Sequence, residues 1–246
     1  MLFGHLTYEE LKYTAEQDWI ILVPTGCIEQ QGPHLPVDFD TWFVAQVCIA
    51  SSDLAKEEYG ISSLVLPALP FGPTPEHRGF GSGYIDLPQS LHEEVITEVL
   101  RSLLDQGFRR IIIWRGCGQH DLSKVVASVN DDILEGAIIW QPDLPYADVW
   151  ERIDAPEVPG GHADAFATSI AMYLRPDSVR TSLIRNPKNI KPDWDNPNLD
   201  FSNYSDTGVI GDPTAASEEL GAKLWKEVTK EVASMINHFD KHGARG

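Results

Sequence analysis

Residues 109–121 read RRIIIWRGCGQHD, and this stretch decides the fold class. Residues 111–114 are all apolar, a short solid run that is typical of a strand buried on both faces. A turn flanked by Gly116 and Gly118 follows, and a helix is predicted from about Asp121. A buried strand that passes through a glycine turn into a helix is the repeating unit of a parallel α/β sheet.

Other segments repeat this unit. Strands are predicted at residues 18–24 (DWIILVP), 62–69 (SSLVLPAL) and 137–140 (AIIW). Helices are predicted at residues 41–57 and 163–174. Because strands and helices alternate along 246 residues, we predict a single α/β domain, residues 1–246, whose mainly parallel sheet is covered on both faces.

Two further helices carry clear apolar stripes. One begins at Ser90, where Glu93 completes a capping box, and its predicted buried stripe is Leu91, Val95, Val99 and Leu103. The last helix opens at Asp212 and Pro213, residue types that suit a cap and a first turn. Its predicted buried face is Leu220, Leu224, Val228, Val232 and Ile236.

The composition excludes several classes of partner. Lys and Arg number 19 against 37 Asp and Glu, so the net charge is -18, and an acidic surface repels nucleic acid and anionic membranes. No apolar run approaches the ~20 residues that a membrane span needs. Three scattered cysteines and an N-terminus without a signal pattern predict a reducing cytoplasm.

The first candidate segment, residues 25–40, reads TGCIEQQGPHLPVDFD and follows a predicted strand. Glu29, His34, Asp38 and Asp40 crowd into this loop, and carboxylates with imidazole are ligands for zinc or manganese. The alternative is a solvated acidic turn in which Asp40 caps the next helix. Ligands of parallel sheets lie beyond the carboxyl ends of the strands, which is where this loop is predicted.

The second candidate segment is the turn that contains Cys117. Small neighbours and a helix N-terminus favour an exposed, reactive or metal-binding thiolate, with His120 and Asp121 beside it. The alternative is a small buried cysteine that merely fits. His162, which follows two glycines at a helix start, is either functional or a cap.

The long loop over residues 70–88 is rich in Gly and Pro, and long ordered loops are often functional. Its polar pair, Glu76 and His77, is open to two interpretations: a site contribution or a salt-bridged loop.

Taken together, five segments in order resemble the creatininase (creatinine amidohydrolase) family. Residues 22–41 (LVPTGCIEQQGPHLPVDFDT) are similar to its strand and E-Q-H-G-P-H-L-P…D signature. Residues 76–87 (EHRGFGSGYIDL) resemble its E-H-x-x-F-P-G-T-x-x-L loop, and residues 111–120 its strand followed by N-G-H-G-G-N. Residues 160–169 (GGHADAFATS) resemble H-A-G-E-x-E-T-S, and residues 208–217 (GVIGDPTAAS) resemble G-x-x-G-D-P-x-x-A.

The resemblance implies a three-layer α/β/α sandwich with a metal centre at the strand ends. It implies hydrolysis of amide bonds, often cyclic or in small metabolites, with two divalent ions, zinc or manganese. It also implies a homo-oligomer, a hexamer, acting on a small-molecule substrate.

The chain departs from the family pattern at the metal ligands. Metal carboxylates fall on Glu29 and Asp40, but the metal histidines fall on Gln31 and Cys117. One further metal carboxylate, which lies at one of two positions depending on the family member, falls on Gln119 or Ala165. One ion, zinc, at Glu29, Asp40 and Cys117 therefore fits better than two, since a thiolate argues against manganese.

Other roles follow from the same resemblance. His162 is predicted to donate a proton or stabilise an oxyanion, and His34 to orient the loop or bind substrate. The predicted substrate-binding residues are Gln31, Gln119, His120, Glu76 and His77.

Three functions remain open from the sequence. The first is the hydrolase with one zinc ion. The second is a metal-free thiol hydrolase in which Cys117 attacks, His120 or His162 is the base, and Gln31 and Gln119 face the oxyanion. The third is a non-catalytic small-molecule-binding protein, because altered ligands are what loss of chemistry produces.

Overall fold

Four parallel strands form the sheet of the computed structural model, which describes residues 1–131, 136–188 and 190–244. Their order is β2-β1-β3-β4, and every neighbouring pair is parallel. The strands are β1 (Ile20–Thr25), β2 (Ser63–Val65), β3 (Arg110–Arg115) and β4 (Ile138–Trp140). The solid apolar runs follow from this arrangement, because both faces of an all-parallel sheet are covered.

Helices pack on both faces of the sheet. They are α1 (Tyr8–Glu16), α2 (Phe39–Tyr59), α3 (Gln89–Asp105), α4 (Ser123–Asp131), α5 (Tyr146–Arg152), α6 (Ala165–Leu174) and α7 (Glu218–His242). Ile20 and Leu22 pack with α2, α5, α6 and α7, whereas Ile21 and Val23 pack with α1, α3 and α4. The alternation is that of a strand, and the predicted three-layer α/β/α class is confirmed.

The predicted stripe of α3 is confirmed at Leu103, which is buried, and at Val99, which packs against the core, but not at its first two residues. The helix begins at Gln89 and buries His92, Ile96, Leu100, Leu103 and Leu104, while Leu91 and Val95 are 43% and 40% exposed. Two adjacent faces of α3 carry apolar residues at helical spacing. The face that packs against the sheet is the one with Ile96, Leu100 and Leu104. The predicted capping box is also absent, because Glu93 accepts a hydrogen bond from the Gln89 amide at 2.8 Å and Ser90 caps nothing.

The predicted face of α7 is confirmed, since its five residues are all buried: Leu220, Leu224, Val228, Val232 and Ile236. The helix starts later than predicted. Asp212 caps a short 3-10 turn, Pro213–Ala215, and Ser217 then caps α7 by accepting from the Leu220 N–H at 3.1 Å. None of the described helices, α7 included, is long and apolar enough to cross a membrane.

The strand order sets the place where a ligand can bind. β1 leads through α2 to β2 on one side, and β3 leads through α4 to β4 on the other. The direction of winding therefore reverses between β1 and β3, and a crevice opens beyond their carboxyl ends. The loops at residues 26–38 and 116–122, which hold most of the two main candidate segments, lie at this crevice.

Substitution of Gly221 by Ala tests the packing of α6 on α7. A Cβ at this position would lie 2.0 Å from the carbonyl oxygen of Ser169, so the two helix backbones must separate. We expect the free energy of unfolding to fall by about 1–3 kcal/mol, the usual cost of overpacking. Urea denaturation measures it, and exposed Lys230→Ala on the same helix should change it by less than about 0.5 kcal/mol. Equal midpoints for the two variants would contradict the close contact.

Candidate active site

Two glycines bring the ends of β1 and β3 against the first turn of α2. A Cβ on Gly26 would lie 2.4 Å from the Cα of Thr41, and a Cβ on Gly116 would lie 2.7 Å from the carbonyl oxygen of Asp40. Neither position accepts a side chain unless α2 moves. The Thr41 hydroxyl also donates to the carbonyl of Cys27 at 2.8 Å. This contact fixes Asp40 beside the chain that leaves β1.

A pair of buried carboxyl groups, Glu29 and Asp40, forms the centre of the site. The Gln31 amide nitrogen donates to Glu29 Oε1 and to Asp40 Oδ2, each at 3.0 Å. The Cys27 thiol lies 3.1 Å from Glu29 Oε2 and 3.4 Å from Asp40 Oδ2. The neighbouring Cys117 side chain and burial raise the pKa of Cys27, so this group is a thiol that donates. Two neutral donors therefore join the two acids.

The two carboxyl groups differ in charge. Burial, followed by the charge of Glu29, raises the pKa of Asp40 well above its usual range. Burial acts on Glu29 in the same direction, but His77 and then His162 outweigh it and hold the pKa of Glu29 below its usual range. The pair thus carries one proton, on Asp40. Two acids with separated pKa values are the usual basis of acid and base roles in one site.

The imidazole of His77 lies between two carboxylates. Its Nε2 is 3.3 Å from Glu29 Oε2 and 3.4 Å from Glu76 Oε1. Burial opposes a charged ring, but the negative charge of Glu29 outweighs it and raises the pKa of His77. The Glu76–His77 pair is therefore a salt bridge that also contacts Glu29 at the candidate site.

His162 contacts Glu29 from the other side. Its Nε2 is 2.6 Å from the carbonyl oxygen of Gln30, to which it donates, and its Nδ1 is 3.3 Å from Glu29 Oε1. Burial lowers the pKa of His162 to about 4. A neutral ring that donates from Nε2 presents the lone pair of Nδ1 to Glu29. Nδ1 and the ionised Oε1 therefore present lone pairs to one another, and a proton that enters the site can be held between them.

The remaining predicted residues are less close to this centre. His34 is buried with its Nε2 2.8 Å from the Thr168 hydroxyl, and burial lowers its pKa to about 4. This contact ties the loop after β1 to α6. Gln119 is exposed, and His120 is buried with its Nε2 2.8 Å from the carbonyl oxygen of Pro73.

Donor atoms capable of holding a metal ion form overlapping groups. In each group all donor atoms lie within 4.8 Å of one another. The predicted ligands Glu29 and Asp40 share a group with Cys27, whereas Cys117 joins Glu29 and Glu76 in a second group. Cys117 and Cys27 form a third group with His120, and Glu29 forms a fourth with His77 and His162.

Two cavities meet at the polar cluster. The first has a volume of about 530 Å³, and Glu29, Gln31, Asp40 and Cys117 form its polar end. Its apolar walls are Phe39, Phe43, Leu144, Tyr146, Trp150, Val158 and Phe166. The second has a volume of about 390 Å³ and is lined by Glu76, His77, Gln119, Trp194 and Phe201. Glu29, Cys117 and His162 border both cavities.

Sequence reasoning missed Cys27 and the aromatic walls. Cys27 precedes Glu29 by two residues, and extended chain places such residues on one side, so the spacing was a usable signal. The walls come from α2, α5, α6 and the loops before α5 and α6, and α5 was not among the predicted helices. No local motif marks residues that only the tertiary structure brings together.

Comparisons with known proteins agree with this geometry. A family model described as creatinine amidohydrolase (creatininase) matches residues 4–236. The mycofactocin precursor peptide peptidase of Mycolicibacterium smegmatis is 27% identical over 236 residues, covering 91% of this chain and 87% of that protein. The creatinine amidohydrolase of Pseudomonas putida is 23% identical over 261 residues, covering 95% of each.

Solved structures show the same fold. A manganese form of creatininase superposes with a TM-score of 0.80 at 20% identity, covering 96% of this chain and 97% of that chain. The likeness therefore extends over nearly the whole fold. Since the family model also matches nearly the whole chain, this chain belongs to the creatininase family, as its motifs predict.

Proposed function

We propose that this chain hydrolyses a C–N bond, in an amide or cyclic amide of a small molecule, with the aid of one divalent ion, zinc. The observation that carries the proposal is the buried pair Glu29 and Asp40 at the polar end of an apolar cavity. The names of the relatives support it, since a creatinine amidohydrolase and a peptide peptidase both cleave C–N bonds.

The donor set fits one metal ion. One oxygen of Glu29 and one of Asp40 lie within 4.8 Å of one another, close enough to bind the same ion once the Gln31 amide no longer lies between them. Cys117 lies within 4.8 Å of Glu29 and supplies a thiolate, which favours zinc over manganese. When bound, zinc supplies Lewis-acid activation of water and of the carbonyl group.

The donor set does not fit a second ion. The amide nitrogen of Gln31 hydrogen-bonds both carboxyl groups and offers no lone pair for a metal. Gln119 is exposed, and Ala165 has no donor atom. The two-metal chemistry that the family resemblance implies is therefore not part of the proposal.

The chain's own groups support proton transfer. Glu29 Oε1 and His162 Nδ1 are both acceptors 3.3 Å apart at the border of the first cavity, so a proton taken from an attacking water can be held between them. A proton held there is available to a leaving nitrogen, which must be protonated before a C–N bond breaks. The apolar walls exclude water from the reacting groups, which strengthens these electrostatic contacts.

The first cavity favours a substrate with an apolar or aromatic group beside its amide. Its volume of about 530 Å³ lies in the range of drug-sized ligand sites, about 300–1,000 Å³. This volume and the apolar lining favour a second candidate substrate, a peptide bond next to an apolar side chain. The peptidase name of the M. smegmatis relative points the same way.

The remaining expectations about partners stay predictions. They are a small-molecule substrate, no nucleic acid or membrane partner, a hexamer by family resemblance, and a cytoplasmic location. Sedimentation of the purified chain measures the oligomeric state directly.

Metal content tests the proposed hydrolase. We expect one zinc ion per chain by plasma mass spectrometry of tag-free protein, and loss of zinc and activity in Glu29→Gln because a ligand is removed. Exposed Glu58→Gln is the matched control and should retain both. The activity screen covers small amides, lactams and apolar dipeptides.

Two other outcomes identify the alternatives. Chelator-resistant activity that thiol alkylation of Cys117 abolishes would replace the metal mechanism with the thiol mechanism. Ligand-induced stabilisation with no turnover across the screen would identify a binding protein.

The size of the apolar wall tests substrate preference. Trp150→Ala enlarges the first cavity, so KM for an amide with an aromatic group should rise about tenfold, a loss of ~1.4 kcal/mol of binding. KM for an acetamide-sized substrate should stay the same, because such a substrate does not reach the wall. Equal effects on both substrates would show that Trp150 acts through folding, not through contact.

A further inference from the structure

Two cysteines and a histidine meet where the chain leaves β1 and β3. Cys27 follows β1, and the turn after β3 carries Cys117 and His120. Their donor atoms, the two sulfurs and one ring nitrogen, lie within 4.8 Å of one another. Cys27 and His120 are buried, and Cys117 is half-buried and borders both cavities. This group shares Cys117 with the zinc ligands proposed above, so the two ligand sets are alternatives for one ion.

The hydrogen bonding of His120 leaves one nitrogen free to bind. Nε2 lies 2.8 Å from the carbonyl oxygen of Pro73, and a carbonyl only accepts, so Nε2 carries the proton. Nδ1 therefore has a lone pair. It is buried and has no hydrogen-bond partner among residues 1–131, 136–188 and 190–244. A buried acceptor without a partner is costly unless something binds it.

The ring of His120 is also held in place. A Cβ on Gly72 would lie 2.4 Å from its Cε1, so the backbone of the long loop packs directly on the ring. A histidine whose second nitrogen donates to a backbone carbonyl is the usual arrangement of a metal ligand, because the hydrogen bond fixes both tautomer and orientation. The same loop thus supplies both the carbonyl and the packing.

We propose that Cys27, Cys117 and His120 Nδ1 form a binding site for a thiophilic divalent cation, zinc in the first place. Two thiolates balance the charge of the ion, and thiolate with imidazole selects zinc over manganese and magnesium. Two cysteines and one histidine form a ligand set of catalytic zinc sites, in which a fourth position stays open. Glu29, 3.1 Å from the Cys27 sulfur, lies beside that position.

The inference does not rest on the proposed hydrolysis. It concerns which side chains hold zinc, and it stands or fails on the ligands seen around the ion. The carboxylate set of the proposed function contains one sulfur and at least two oxygens. The set proposed here contains two sulfurs and one imidazole nitrogen, so the two are separable by spectroscopy.

X-ray absorption of the full chain with one equivalent of zinc is the direct test. We expect two Zn–S distances of about 2.3 Å and an imidazole nitrogen at about 2.0–2.1 Å. In competition with a chromogenic chelator, Cys27→Ser and His120→Gln should each weaken zinc binding at least about tenfold. Asp40→Asn should keep the two-sulfur spectrum, and Cys48→Ala, at a buried cysteine within α2, should keep the affinity.

A measurement on the unmodified chain covers variants that fail to fold. Bound zinc should protect the half-buried Cys117 from alkylation, as measured by mass spectrometry of peptides, and should leave buried Cys48 unchanged. Loss of protection on adding a chelator is the expected control result.

The outcomes separate the two proposals. One sulfur with oxygen ligands, and loss of zinc in Asp40→Asn but not in Cys27→Ser, would overturn this site and support the carboxylate set. Absence of bound zinc, with no protection from alkylation, would overturn both ligand sets. Two sulfurs and an imidazole without hydrolysis of any substrate would support this site and end the proposed function.

Discussion

The close approach of two strand ends to the first turn of α2 is the constraint on which the site depends. Gly26 and Gly116 have no room for a Cβ, because Asp40 and Thr41 occupy that space. As a result, side chains from three separate segments meet in one buried volume. A larger residue at either glycine would move α2 away from the sheet, and the carboxyl pair would separate. Every side-chain contact of the carboxyl pair therefore depends on this backbone contact.

Within that volume, the replacement of charged or metal-binding groups by neutral ones changes the electrostatics. Gln31, which falls on a metal histidine of the family pattern, donates to both carboxyl groups. Together with the Cys27 thiol it stabilises a pair of acids that share one proton. The sequence resemblance places the family's metal histidines at Gln31 and Cys117, so an amide and one thiol stand where that pattern has nitrogen donors.

Much of the fold could be predicted from the sequence, because solid apolar runs and glycine turns report directly on a covered parallel sheet. The α7 face was predictable, since only one face of that helix is apolar. The α3 face was not, because two faces carry apolar residues and only contact with the sheet separates them. At the site, Glu29 and Asp40 follow from motifs. The free nitrogen of His120 does not, since a carbonyl 47 residues away determines its tautomer.

The position of the polar cluster between two cavities determines where the two parts of a substrate lie. Glu29, Cys117 and His162 border both spaces, so a molecule that contacts them extends on two sides. If a bond at the cluster breaks, the two fragments already lie in different cavities. Each fragment then contacts a different set of side chains. The aromatic side chains around the two spaces differ, so the fragments are sorted by shape as well as by direction.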